Sequence, residues 1–447
     1  MTTEQSMPKF ARIWLISILP FFPFQINIAQ ILGQFSNTAA MLVRFVDEFT
    51  IVVFFPLAVL EFYRNKNKFN KAYLSLIVSI SIFSIFGLIS GLMNRNPIFI
   101  TFLGIFDYFK NFLVIFIYTA FFNYKDDFKR IFRILIVTAV FIGVIAFIQE
   151  YWAIFSRYFM GKSIYDKGVY LFRILFPSSQ APWEFRDFWR MGIYRAPSLL
   201  NHPNSVGFYT LLILTLYLYT SKKINFSKFF LIFCGIFFTV SRMLYSAFIF
   251  LAGLQFFRRK RWLVIPAIPV AIFIFFMSFL PDLNIFSLMK GQEVYNEDKI
   301  FRAYAQKKAL EIWKDYPLLG VGPGMFGGVV SLINPPTIYK KYNFSEKSFV
   351  YVKNFRSLDQ FWPQILAETG IFGVAAFIGI FISLIITLYI FKGRSSNFEI
   401  RDLFTGLIVI VPFILIFSLG SGFNITAFLF NYFALLGISL RNENSTY

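Results

Sequence analysis

The sequence predicts an all-α polytopic membrane protein of about 12 transmembrane helices with two large outer loops. Three observations predict it. Of 447 residues, 57% are hydrophobic and 65 are Phe, which is more apolar surface than one water-soluble core can hide. The apolar residues fall in long runs of roughly bilayer length, and inside lipid every backbone amide must find a partner within its own segment, so the runs are read as helices. Between them sit short clusters of Lys and Arg, in the places where positive-inside topology signals belong.

The expected spans are 11–33, 43–63, 72–93, 98–122, 130–152, 199–220, 226–240, 243–257, 262–280, 361–391, 402–420 and 424–440. Lys9 and Arg12 precede the first run, no small-residue cleavage site follows, and Pro20 and Pro23 lie within it. It reads as a span with its N-terminus inside rather than as a signal peptide. The seventh and eighth spans are short; as one broken helix they would leave Ser241 and Arg242 in mid-membrane.

With the N-terminus inside, the short cytoplasmic connections are 64–71, 124–130, 221–228, 258–261 and 392–401. They carry Arg64, Lys66, Lys68, Lys71, Lys125, Lys129, Arg130, Lys222, Lys223, Lys228, Arg258 to Arg261, Lys392, Arg394 and Arg401. The short outer turns near Ser36 and Asn94 are nearly neutral, so the rule holds at every short loop, and both termini are expected in the cytoplasm. The net charge of +20 therefore reflects topology and contact with anionic lipid, not nucleic acid. The single cysteine, Cys234, excludes an intramolecular disulfide framework.

The whole of 1–447 reads as a single membrane domain, with long outer loops at 153–198 and 281–360. Both loops mix basic and aromatic residues, as in Trp183 to Arg190, which suits a chain at headgroup level. The second loop contains a helix signal. Asn296 can cap it, Glu297 and Asp298 suit its positive end, and Phe301, Ala305, Ala309 and Ile312 form a stripe at helical spacing. Pro317 and the glycines at 320, 322 and 324 stop it. An amphipathic helix lying flat on the membrane face is expected.

Four clusters at outer span ends could carry chemistry: Arg195 with Asn201-His202-Pro203-Asn204; Thr239-Val240-Ser241-Arg242; Arg302 followed by Pro317 to Gly324; and Asp359-Gln360 leading into Glu368-Thr369-Gly370. Arg195, Arg242 and Arg302 are permanent cations whose forked donors suit phosphate oxygens, such as those of a diphosphate leaving group. Asp359 and Glu368 are the acids placed to deprotonate an attacking hydroxyl, with His202 a further candidate. Each has a plainer reading. An Arg at a span end also snorkels or binds lipid. Asp359 can cap a helix, His202 can be structural, and the glycines can simply make turns. Glu368 lies within an expected span, where a carboxyl is costly. There is no phosphate loop of the GxxxxGK[ST] type, no dinucleotide fingerprint and no His/Cys metal cluster, so neither cofactor nor metal is expected.

In this order and topology the four clusters resemble the superfamily of O-antigen ligases and polysaccharide polymerases. Arg195 with Pro203-Asn204 resembles its Arg followed by Pro-Asn, and Ser241-Arg242 its Thr-x-Ser-Arg turn. Arg302, Trp313 and Pro317 to Gly322 are similar to its Arg…Pro-Leu-x-Gly-x-Gly segment, and Gln364 to Gly373 to the stretch after its catalytic position. The motifs cover Arg195 to Gly373, and the N-terminal third matches only in hydropathy. The resemblance implies a GT-C-like bundle in the bacterial cytoplasmic (inner) membrane, with its active site facing the periplasm. It implies a glycan donor on undecaprenyl diphosphate, a hydroxyl acceptor glycan, and no metal or nucleotide. The ligases place a His before the span that opens the Glu-Thr-Gly segment; here Asp359 holds that place. That departure favours a polymerase, whose partners include a chain-length regulator, over a ligase serving lipid A core or protein. A lipid-linked oligosaccharide flippase is a third reading, disfavoured because the spans hold little charge beyond Asp47, Glu48, Asp107 and Lys110.

Overall fold

The structure, a computed structural model, describes residues 9–65, 72–159, 189–190, 193–194, 196, 198–200, 202–259, 297–328, 330–331, 337–344, 361–418, 423 and 426–441. Its helices are α1 Lys9–Gly33, α2 Asn37–Arg44, α3 Val46–Arg64, α4 Ala72–Met93, α5 Ile98–Phe121, α6 Lys129–Phe159, α7 Pro203–Thr220, α8 Phe226–Phe237, α9 Arg242–Arg259, α10 Glu297–Asp315, α11 Thr337–Lys341, α12 Phe361–Arg394, α13 Phe398–Phe417 and α14 Thr426–Leu440. A π-helical turn at Tyr124–Phe128 leads into α6. A two-residue β pairing, β1 Trp189–Arg190 with β2 Ile193–Tyr194, runs antiparallel in the first long loop.

Among the described residues, six helices are long and apolar enough to cross a membrane: α1, α4, α5, the helix from Tyr124 through α6, α12 and α13. The stretches of α8, α9 and α14 are apolar but shorter. Six of the expected 12 spans are thus supported among the described residues, the count of 12 is not confirmed, and the span expected at 262–280 lies outside the described residues. Several helices differ from expectation: the one expected at 43–63 begins at Val46 after the separate α2, and that expected at 402–420 is Phe398–Phe417. The helix expected to end at 152 continues to Phe159, and the span expected at 361–391 is one helix by name only, because it breaks at Gly370. The seventh and eighth spans are separate helices joined by a turn.

Local chemistry sets the ends. Ser36 caps α2 through the Ala39 amide, Asn225 caps α8 through that of Lys228, and Asn397 caps α13 through that of Glu399. One apolar core runs through the bundle, and rings supply much of it: Phe361 lies 5.0 Å from Phe377 and Phe423, and Phe112 4.8 Å from Phe433. In lipid, where apolar surface gains nothing by leaving the solvent, such ring packing is a principal source of helix association.

Ion pairs and hydrogen bonds gather the expected cytoplasmic connections at one end of the bundle. Arg12 pairs with Asp127, Glu399 receives Lys222 at 2.8 Å and Lys129 at 3.9 Å, and Arg441 donates to the carbonyls of Ala120 and Phe122. These join the connections expected in the cytoplasm. Within the bundle, Lys110 is paired with Glu48 at 2.7 Å and Asp107 at 3.0 Å, while Asp47 accepts from Gln25 and Thr426. Each of these groups in the spans thus has an ion-pair or hydrogen-bond partner, which is the condition for keeping it there.

Candidate functional site

The first two clusters meet. His202 is exposed and caps α7, its Nδ1 accepting from the Asn204 amide at 3.1 Å, with Pro203 opening the helix. Just upstream, Ser198 is locked to α6: its amide donates to Gln149 Oε1 at 2.8 Å and its hydroxyl to the Ile142 carbonyl at 2.8 Å. Asn27 of α1 donates to the Leu199 carbonyl at 2.7 Å. Ala196, the residue after Arg195, donates its amide to the Phe238 carbonyl at 2.9 Å, at the start of the turn that ends in Ser241-Arg242. Ser198 and Val240 both hold φ of 46°, a left-handed conformation that is costly for a β-branched residue such as Val. The turn is held by Thr239, whose hydroxyl donates to the Ile236 carbonyl at 2.6 Å, and by Tyr245, whose hydroxyl donates to the Phe237 carbonyl.

The third and fourth clusters also meet, and more intimately. At Gly370 (φ 62°, ψ −165°) α12 breaks. The segment after α10 lies in the gap. Val321 and Gly322 donate to the carbonyls of Ala367 and Glu368 at 3.0 and 2.8 Å, and Ile371 and Phe372 donate to those of Pro317 and Leu318 at 3.0 and 3.1 Å. The break would leave backbone groups without partners in a setting that supplies no water, and the inserted segment satisfies both sides. A Cβ at Gly370 would lie 2.5 Å from the Leu318 carbonyl, so the approach needs glycine twice over, for space and for φ.

Glu368 is fully buried and its carboxylate is taken up from both sides. Oε1 accepts the Phe326 amide at 2.7 Å and Oε2 accepts the Tyr108 hydroxyl at 2.6 Å. The glycine-rich stretch 320–327, with positive φ at four glycines, has the form of an anion-binding nest, and an internal carboxylate fills it. From the α4–α5 turn, Asn94 donates to the Gly320 carbonyl at 3.0 Å and Asn96 to that of Val321 at 2.7 Å; exposed Arg95 lies between them with φ 55°. A Cβ at Gly104 of α5 would meet the Gly324 amide nitrogen at 2.4 Å.

The far side of the segment is held by Tyr339. It accepts the Gly327 amide at 2.7 Å and lies 3.0 Å from the Ser331 hydroxyl, which donates to the Gly328 carbonyl. Burial pushes the Tyr339 phenol up to about 12. The stripe on α10 does not lie on a membrane face. Ala305, Ala309 and Ile312 are buried in one cluster with Val321, Phe326, Ile338, Tyr339 and Ala367. The expectation of a flat membrane-bound helix gives way because the 316–344 chain supplies an apolar surface of its own.

Of the expected site residues, Arg195 and Asp359 lie outside the described residues, and Arg242 and Arg302 are described in backbone only, at the first residue of α9 and within α10. Glu368 and His202 are described in full and are not brought together by any bond. Among the described residues no group of His, Cys, Asp and Glu could hold a metal ion. Sequence reasoning missed Tyr108, Asn94 and Asn96. Isolated polar residues at span ends gave no signal, although Tyr108 stands beside Asp107, one of the few charges in the spans.

Fold and site define a multi-pass membrane protein whose long second loop is built into a broken helix. Residues 228–378 match the family model described as O-antigen ligase, and the match supports the resemblance to the O-antigen ligase and polymerase superfamily. The matched segment contains Arg242, Arg302, the inserted loop and Glu368; the Tyr108, Asn94 and Asn96 contacts come from outside it. No curated protein gives a significant match.

Proposed function

We propose that this protein is a polysaccharide polymerase of the bacterial cytoplasmic membrane. It takes a glycan from undecaprenyl diphosphate and joins it to a second lipid-linked glycan on the periplasmic side. Arg195, Arg242 and Arg302 hold the diphosphate, whose charge grows as it leaves. The acceptor oxygen attacks the anomeric carbon, the bond from that carbon to the diphosphate oxygen breaks, and Asp359 takes the hydroxyl proton. No metal or nucleotide enters the reaction.

The observation that carries this reading is the bond from Ala196 to Phe238, which ties the chain next to Arg195 to the turn that ends at Arg242. Two stretches far apart in sequence, at Ala196 and Phe238, are thereby joined, which supports a shared diphosphate site for the arginines next to them. A ligase is the second reading, favoured by the description of the matched family model; it shares the diphosphate site and differs in acceptor. The test is purified protein mixed with lipid-linked repeat units, without added metal or nucleotide. A ladder of longer lipid-linked chains is expected, and changing any of the three arginines to Ala should lower the rate by about 10²–10³, as loss of an oxyanion donor does. Transfer only when lipid A core is supplied makes the protein a ligase, and no transfer to either acceptor overturns the proposal.

A further inference from the structure

We infer that Tyr108 and Glu368 are a positioning pair: together they hold the 317–328 segment in the break of α12, and Glu368 takes no part in moving the acceptor proton. The inference rests on the glycosyl-transfer reading and deepens it, because it takes one candidate base out of the chemistry and brings the N-terminal helices into the site.

Three observations carry it. First, Glu368 has no exposed surface, and both of its oxygens already accept hydrogen bonds, from Phe326 and Tyr108. A base must reach the proton it takes, within one hydrogen bond or one water; a glycan hydroxyl cannot enter here without evicting the loop. Second, the bonds lead toward the expected diphosphate site. The Phe326 amide is fixed by Glu368, while the Phe326 ring is buried in the cluster that contains Ala305, Ala309 and Ile312 of α10, the helix that carries Arg302. Glu368 is thereby linked through Phe326 to the helix that carries Arg302. Third, the hold is multiple. Ser90, Asn94 and Asn96 of α4 and its following turn bond the carbonyls of Gly320 and Val321, and Gly104 of α5 admits the backbone at Gly324. The N-terminal helices form one jaw and α12 the other, with the loop between them.

The two roles separate by substitution. Gln at 368 keeps the length and an oxygen for the Phe326 amide, and its NH2 can donate to the Tyr108 oxygen, but it cannot accept a proton. Ala removes every bond. Phe at 108 removes one bond and leaves the base untouched.

The experiment uses the full-length protein in lipid nanodiscs with lipid-linked repeat units, comparing wild type with Glu368→Gln, Glu368→Ala, Tyr108→Phe and Arg302→Ala across pH. A second readout, independent of activity, is the thiol reactivity of Met325→Cys in a Cys234→Ser background, because Met325 is half-buried in the held segment. The inference expects Glu368→Gln within about 10-fold of wild type, as for loss of a single hydrogen bond, with an unchanged pH profile. It expects Glu368→Ala to lose about 10²-fold, the scale of a small misplacement of a site, mainly as a raised donor KM, with Met325→Cys becoming reactive. Tyr108→Phe should fall between them in both readouts. If Gln is as inactive as Ala while Met325→Cys stays protected in both, Glu368 is the base and the inference is wrong. If wild type transfers no glycan, the functional reading fails instead, and the thiol readout still decides whether the pair holds the loop.

Discussion

Replacing Gly370 with Ala should disable the protein through a single added carbon. The backbone there has φ 62° and ψ −165°, a region essentially confined to glycine, and a non-glycine residue held in such a conformation costs about 1–3 kcal/mol. The new Cβ would also stand 2.5 Å from the carbonyl carbon and oxygen of Leu318 and 2.6 Å from the Leu319 nitrogen. These are backbone atoms pinned by the Phe372 bond, so relief requires the loop to shift, and overpacking of this kind costs about 1–3 kcal/mol more. The sum is about 2–6 kcal/mol. The chain has an alternative, which is to let α12 run straight. That regains helical bonds but expels residues 317–322, strands the Glu368 carboxylate and frees Asn94 and Asn96 from their acceptors. The assay is thermal unfolding of the purified variant in detergent, with chain length of the product in cells. A melting temperature lower by several degrees and short or absent chains are expected. Wild-type melting together with wild-type chains would refute the description of the helix break.

Lys110→Met should destabilise the bundle by about 3–5 kcal/mol, because Glu48 and Asp107 lose their shared cation; adding Glu48→Gln should recover part of the loss in the same unfolding measurement, and no recovery would mean that the ion pairing is not what Lys110 supplies. Asp359→Asn keeps the size and capping capacity of the side chain but not its basicity, so it should be as inactive as Asp359→Ala, with single repeat units accumulating; long chains from the Asn variant would move the base elsewhere. In intact cells, cysteines at Ser178 and Thr337 should react with an impermeant thiol reagent and cysteines at Asn67 and Ser395 should not, and the reverse pattern would turn the proposed site to the cytoplasm.

The helices were legible because their signals are local. Runs such as Ala72–Met93 and Ile98–Phe121 announce themselves by length and apolarity, and the Lys and Arg between runs give the ends, which the Lys222–Glu399 and Arg12–Asp127 pairs then join. The helix at Glu297–Asp315 was equally plain from its stripe and its stop at Pro317. What the stripe packs on was not, since Val321, Phe326, Ile338 and Ala367 are themselves apolar residues that could equally face lipid. The break at Gly370 was hidden for a related reason. A glycine inside an apolar run is common in membrane helices, and only the loop that enters the gap makes its φ positive. Glu368 could be picked out as a costly buried acid, but its partner Tyr108 lies 260 positions away, and nothing local pairs the two. The motifs thus named Glu368 and the 317–324 segment, while the bonding between them depends on contacts between distant helices.

In the proposed reaction a lipid diphosphate leaves as a glycan is transferred. The most direct measurement is mass spectrometry of the lipid after purified protein has consumed lipid-linked repeat units. Free undecaprenyl diphosphate in one-to-one ratio with new glycosidic bonds is expected, and both should form about 10²–10³ times more slowly with Arg242→Ala. Recovery of the donor intact, moved from one leaflet to the other with no bond made, would contradict the proposed reaction.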